Sequence, residues 1–340
     1  MPPVPQSARR GIKLVLGLLI SALFLAATLR AVPLRQVGET LADASLSWVL
    51  VALGFVGLAY LLKIYRWTVM LRSLGAEVRL GEAAVPFLGG VAFNNVLPFR
   101  AGDVIRVIAF QRFTGVPASG QIGTLALERL MDLFVLLALL FATVTFSEVR
   151  LLDAGLLAGL QLAAAALAVA VLLFIAAPRT LRLVVTWAER NWPKLHRFGD
   201  ALLRLSDAVA TLSRPSFLLR ILVLSVAAWL AEGGVYFAVG QALGVVTTPQ
   251  AALLALSVAT LATLIPSAPG YVGTFHYFAA RVAVASGGSQ VGAAAFAILV
   301  HGLLWLSTTA AGFLALAISG MRAQPLVAAS ANTNSEPDPQ

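Results

Sequence analysis

Six stretches of this chain, residues 14–30, 47–70, 120–145, 154–177, 216–241 and 290–319, are apolar over the roughly 20 residues that a helix needs to cross a bilayer. Hydrocarbon offers no partners to backbone N–H and C=O groups, so runs of this kind must close their hydrogen bonds internally, as helices. The expected fold is therefore an all-α polytopic membrane protein with about six full spans. Charged residues make up only 11% of the chain, well under the roughly 25% usual in soluble domains. Two further apolar stretches, 83–97 and 250–265, are too short to cross, and each stops at a proline, Pro98 or Pro266. They read as re-entrant helical hairpins that enter the membrane and turn back.

The formal charge is +9. Its distribution excludes nucleic acid as the partner, because the basic residues lie between the apolar runs, as the positive-inside rule requires. With the N-terminus in the cytoplasm, about 19 Lys and Arg fall on the cytoplasmic side; four (Arg30, Arg35, Arg150 and Arg281) fall on the other, and Arg129 lies inside a span. Both termini are then cytoplasmic. Arg9, Arg10 and Lys13 precede the apolar run from Leu14 to Leu29, which is read as a retained first span rather than a cleaved signal. The segment from Arg179 to Arg220 is densely basic and holds Trp187 and Trp192. It is expected to lie as helices at the cytoplasmic interface, either as a positive-inside loop alone or as a surface recruiting anionic lipid headgroups. Residues 321–340 read as a disordered tail. The chain has no Cys, and His196, His276 and His301 are too scattered to form a metal motif, so no metal and no cofactor are expected.

A pattern recurs along the chain. Pro98-Phe-Arg-Ala-Gly102-Asp-Val104 and Pro266-Ser-Ala-Pro-Gly270-Tyr-Val272 share the form P-x-x-x-G-x-V. Each follows a full span closed by a Leu-Gly pair, Leu74-Gly75 or Leu243-Gly244, and each precedes a span with polar residues in it. The organisation that follows is an N-terminal segment (1–46), a first repeat (47–145), a linking span and basic segment (146–215), a second repeat (216–320) and the tail (321–340). The first copy begins with a span running inward and the second with one running outward, so the copies are inverted. Inverted repeats with broken helices are a transporter signature, because the two breaks can meet at mid-depth.

A charge at the bilayer centre costs about 2.5 to more than 10 kcal/mol unless paired or wetted. Glu128 and Asp132 stand at i and i+4 on one helix face. Arg129, or Arg100 and Arg106 from the re-entrant segment, are expected to neutralise them. An Arg there is also the natural bidentate partner of a lipid phosphate. Asn94 and Asn95 are placed to orient a headgroup or to cap the short helix, and Asp103 either locks the hairpin or takes part in binding. Glu232 and His301 are the matching polar intrusions of the second copy.

The strings "NNVLPFRAGDVIR" (94–106), "ERLMD" (128–132), "RW" (66–67) and "IPSAPGYVGTF" (265–275) resemble the lysylphosphatidylglycerol synthetase transmembrane-region, or flippase-like, family over roughly residues 12 to 320. The resemblance implies site roles for Asn95, Pro98, Arg100, Gly102, Asp103, Arg106, Glu128, Arg129, Asp132, Pro269, Gly270 and Gly273. His276 stands where family members often carry Glu. The soluble aminoacyl-transferase half has no counterpart in these residues, so the resemblance does not imply lipid synthesis. The expected function is that of a bacterial inner-membrane transporter, not an enzyme, moving a phosphate-bearing phospholipid or lipid-linked precursor between leaflets. The alternative is a membrane enzyme, or an accessory scaffold that partners a lipid-modifying enzyme in a lipid-modification or glycosyl-transfer pathway.

Overall fold

The computed structural model describes residues 18–28, 30, 32–146, 154–191, 196–265 and 267–319. The extreme N-terminus, Pro266 and the tail therefore lie outside the described residues. Every regular element among those described is helical: α1 (Leu18–Thr28), α2 (Leu34–Ala42), α3 (Leu46–Ser73), α4 (Leu80–Val96), α5 (Ala101–Ala109), α6 (Gln111–Thr114), α7 (Ala118–Phe146), α8 (Ala154–Asn191), α9 (His196–Leu212), α10 (Pro215–Leu243), α11 (Pro249–Ala262), α12 (Thr274–Ala285) and α13 (Gln290–Ile318). Two single 3₁₀ turns, Pro98–Arg100 and Pro269–Tyr271, precede α5 and α12.

Four helical stretches, Leu46–Ser73, Ala165–Ala188, Pro215–Leu243 and Gln290–Ile318, are long and apolar enough to cross a membrane. That is fewer than the six expected. Of the span expected at 14–30, the structure describes the short apolar helix α1. The span expected at 120–145 is α7, 29 residues long, with Glu128, Arg129 and Asp132 in its middle. The span expected at 154–177 does not stop there: α8 runs on through Pro178 to Asn191. Arg179, Arg182 and Arg190 accordingly belong to the helix itself rather than to a separate interfacial segment. Only α9 is a distinct amphipathic piece, and it packs on α7, with Ala208, Val209 and Leu212 against Gly123.

Helix ends are set by local chemistry. Gly75 and Gly244, at φ +91° and +66°, turn the chain where α3 and α10 stop. The Thr248 and Ser289 hydroxyls accept from the Ala251 and Gly292 N–H groups at the starts of α11 and α13. Prolines open α10 and α11, where a missing N–H costs nothing.

Helices α3 and α10 pack antiparallel along their length. The Ser45 N–H donates to the Ala242 carbonyl (3.0 Å), tying the start of α3 to the end of α10. At the opposite end Leu71, Val78, Val116, Leu212 and Ile221 share one core cluster. The α4–α5 hairpin opens at that end. At the Ser45 end, Val245, Ala251, Ala283 and Ala293 share another cluster, and the α11–α12 hairpin opens there. Helix α4 packs on α13 and α11 on α7, and the two 3₁₀ turns touch in the interior.

Candidate functional site

The two 3₁₀ turns have the same backbone. Pro98 opens the first, and Phe99 and Arg100 follow in the left-handed region (φ +60° and +53°). Pro269 opens the second, and Gly270 and Tyr271 follow at φ +69° and +58°. The geometric partner of Pro98 is thus Pro269, three residues later than the P-x-x-x-G-x-V pattern placed it. Three non-glycine residues share this strained conformation at the two turns, each at a cost of about 1–3 kcal/mol that the surroundings must offset. Arg100 Nε donates to Tyr271 Oη (3.0 Å), so the third residues of the two turns bond to each other.

Between the turns and helices α3, α4, α7, α10 and α13 lies a cavity of about 210 Å³. Its wall carries five cations, Lys63, Arg66, Arg100, Arg106 and Arg129, and four carboxylates, Asp103, Glu128, Asp132 and Glu232. Asp132 accepts from Arg66 Nη1 (2.6 Å) and Trp229 Nε1 (3.0 Å). Arg66 also donates to Ser225 Oγ (2.7 Å), bridging α7 and α10 from α3. Glu128 accepts from Arg106 (3.1 Å) and from Arg129 (3.2 Å), and Arg129 reaches on to Asp103 (3.3 Å). The Arg106 guanidinium also lies 5.1 Å from the ring centres of Trp67 and Phe87. Lys63 pairs with Glu232, and its ammonium sits 4.2 Å from the Trp229 ring and 5.0 Å from that of Tyr60.

Each carboxylate is therefore matched, as charge in a low-dielectric interior requires. Arg100 differs. Its bonds go to Tyr271 Oη and Thr263 Oγ1 (3.4 Å), and among the described residues it makes no ion pair with a carboxylate. Arg66 Nε and Arg129 Nε are buried without a hydrogen-bond partner. The wall thus holds one cation more than its carboxylates balance, together with unused N–H donors. It can accept an anion.

The structure brings most of the candidate residues together. Asn94, Asn95, Arg100, Asp103, Arg106, Glu128, Arg129, Asp132, Glu232, Gly270 and His301 line the cavity. Pro98, Gly102, Pro269, Gly273 and His276 do not line it; they shape it. A side chain on Gly102 would collide with the Gly90 carbonyl, so α5 lies directly against α4. Gly273 lets the Ser21 backbone approach in the same way. His276 stacks edge-on against His301, ring centres 4.7 Å apart, and His301 Nε2 meets the Gly270 carbonyl at 2.8 Å. Asn94 caps α5: its Oδ1 accepts from the Asp103 N–H (3.1 Å) and its Nδ2 donates to the Asp103 carboxylate (2.9 Å). Asn95 instead ties the first hairpin to α13, donating to Thr308 and Thr309. Among the described residues no group of three or more His, Asp or Glu is placed to hold a metal ion.

The expectation that Arg100 neutralises a carboxylate is corrected by this geometry; Arg106 and Arg129 do so, joined by Arg66. The charge count placed Lys63 and Arg66 on the cytoplasmic side, yet both face the cavity from within α3. The sequence motifs single out Arg66 only within the string "RW" and do not single out Lys63. A signal was present, since both stand inside an otherwise apolar run and each needs an anion there.

Comparison with known proteins places this arrangement. The family model described as the lysylphosphatidylglycerol synthase TM region matches residues 14–312. A curated protein named glycosyltransferase AglD, from Haloferax volcanii, is 31% identical over 140 residues, which are 40% of this chain and 22% of that protein. The matched stretch thus spans about a fifth of that relative's length.

Proposed function

The chain belongs to the family of lysylphosphatidylglycerol synthase transmembrane regions, and from that premise we propose that it is a flippase-like transporter and not an enzyme. It moves a phosphate-bearing lipid or lipid-linked precursor between the leaflets of a bacterial inner membrane. The observation that carries the reading is the charged cavity between two broken hairpins, in which Arg100 pairs with no carboxylate among the described residues. A charged wall is costly in an apolar protein, and the surplus cation matches an anionic headgroup.

The two hairpins form an inverted repeat in this reading, with α3, α4, α5 and α7 answering to α10, α11, α12 and α13. Support comes from the pairing of elements. The packing of α4 on α13 has its counterpart in α11 on α7, while α3 with α10 and turn with turn are self-paired, as a two-fold axis requires. The hairpins open at opposite ends of the molecule. Both termini are taken as cytoplasmic, and the end carrying α9 and the last turns of α8 faces the cytoplasm, where its arginines meet anionic headgroups.

The test is leaflet exposure of a labelled phospholipid in proteoliposomes. The purified, folded protein is expected to move it faster than empty vesicles do; equal rates for every phospholipid tried would refute the reading. A second reading rests on the likeness to AglD, a protein named a glycosyltransferase: this chain would then serve as a scaffold for a glycosyl-transferring or lipid-modifying enzyme. It is favoured if such an enzyme co-purifies with the protein and the reconstituted protein alone moves no lipid.

A further inference from the structure

The cavity is small. At about 210 Å³ it falls below the roughly 300–1,000 Å³ of sites that enclose a whole small ligand, so it can take a headgroup but not two acyl chains. The chains of any lipid held there must lie on an outer face of the protein.

The two hairpins differ in what covers them. On the second, α1 lies against α12: Phe24 stacks on Tyr277 and Phe278 (5.1 and 5.7 Å between ring centres), and Ser21 Oγ accepts from the Ala268 N–H (2.7 Å). The face of α5 on the first hairpin has no such cover among the described residues. Val104 and Ile108, one turn apart, are 56% and 59% exposed, and Phe99 beside Arg100 is 63% exposed. Phe99 also holds the strained left-handed conformation without burying its ring. The bare apolar strip therefore begins at the cavity cation that, among the described residues, no carboxylate balances.

Resting on the transport reading above, we propose that this strip, from Phe99 through Val104 to Ile108, is the docking face for the acyl chains of an anionic phospholipid whose phosphate is held by Arg100. The lipid then enters from the side on which the first hairpin opens, with its headgroup passing between the turns and its chains remaining in the bilayer. Helix α1 closes the corresponding route beside the second hairpin.

The experiment uses the full chain in phosphatidylcholine vesicles containing a small fraction of phosphatidylglycerol with a photoactivatable diazirine on one acyl chain, and adducts are mapped by mass spectrometry. Adducts are expected on the 96–108 segment in excess over an exposed apolar reference, Leu162 and Leu173 of α8, 72% and 65% exposed. The excess should fall about tenfold in Arg100→Gln, the factor that one charge-assisted hydrogen bond carries, and persist in Arg100→Lys. It should be absent when the diazirine chain is carried by uncharged diacylglycerol. Labelling of 96–108 no stronger than the reference, or an excess indifferent to Arg100→Gln while Arg100→Lys and the parent fold alike, overturns the proposal. Lipid movement without the excess refutes this docking face and leaves the transport reading standing. The Arg100-dependent excess without lipid movement supports the face and refutes transport.

Discussion

Lys63 and Glu232, 169 residues apart, form an ion pair in the interior. Each stands eleven residues before the Leu-Gly pair that ends its helix, Leu74-Gly75 on α3 and Leu243-Gly244 on α10. Two residues at the same place in two copies can touch only where the copies cross, so this pair marks the axis of the proposed repeat. Arg100 and Tyr271, the third residues of the two turns, meet in the same way.

The Lys63–Glu232 pair is expected to dominate stability at the crossing. Both side chains are nearly buried, at 12% and 8% exposure, so removing one partner strands a charge at a cost of about 3–5 kcal/mol, whereas an apolar double replacement is close to neutral. Lys63→Met and Glu232→Gln should each lower the Tm in detergent sharply, and Lys63→Met combined with Glu232→Leu should restore most of it. A double variant as unstable as the singles would contradict the pairing.

Arg66 joins α3 to α7 and α10 through Asp132 and Ser225, with 1% of its side chain exposed. Arg66→Ala should cost about 3–5 kcal/mol, because buried Asp132 keeps only the Trp229 N–H and the more distant Arg129 guanidinium at 3.8 Å. Asp132→Asn should cost less than Arg66→Ala, because Arg66 keeps its bond to Ser225 and the Asn oxygen can still accept from Trp229. Detergent Tm values of the two variants, compared with the parent, check the order.

Packing of α5 on α4 depends on Gly102. Gly102→Ala should destabilise the protein by about 1–3 kcal/mol, since the colliding atom is a backbone oxygen that cannot step aside. Gly54→Ala, inside α3 where an added carbon meets nothing within 4 Å, is the control and should hold or slightly raise the Tm, since alanine favours the helix.

Phe99→Gly should separate stability from function. The substitution relieves about 1–3 kcal/mol of left-handed strain and gives back about 0.5–1 kcal/mol through the extra freedom of the unfolded glycine. A modest rise in Tm is expected, together with slower lipid movement in proteoliposomes. A fall in both would mean that the ring holds the turn in place.

The all-helical fold, the spans expected at 47–70, 154–177, 216–241 and 290–319, and the two short proline-broken helices are legible because hydrocarbon allows the backbone few choices. The cluster around Glu128, Arg129 and Asp132 was legible for the same reason, since three charges in one apolar run must find partners. Which partner each takes was not, because Arg66 and Asp132 meet only through the packing of α3 on α7, and nothing local in either segment encodes that contact. The continuation of α8 past residue 177 is not legible because the apolar run ends at Pro178 and Arg179 while the helix does not. A proline within a helix bends it without ending it when the flanking residues still gain from the helical backbone. The matching of Pro98 to Pro266 failed for a related reason: the motif aligns letters, whereas the turns align backbone conformations, and Pro269 carries the matching one.

A path between leaflets through the cavity requires that the two hairpins enter the membrane from opposite sides. The chain has no native Cys, so single cysteines can report this directly in membranes of known orientation. Glu77→Cys, before α4, and Gln250→Cys, at the start of α11, are both at exposed positions. A membrane-impermeant maleimide is predicted to label the first only from the cytoplasmic side and the second only from the other. Labelling of both from one side would contradict the inverted arrangement, and with it the cavity as a path between leaflets.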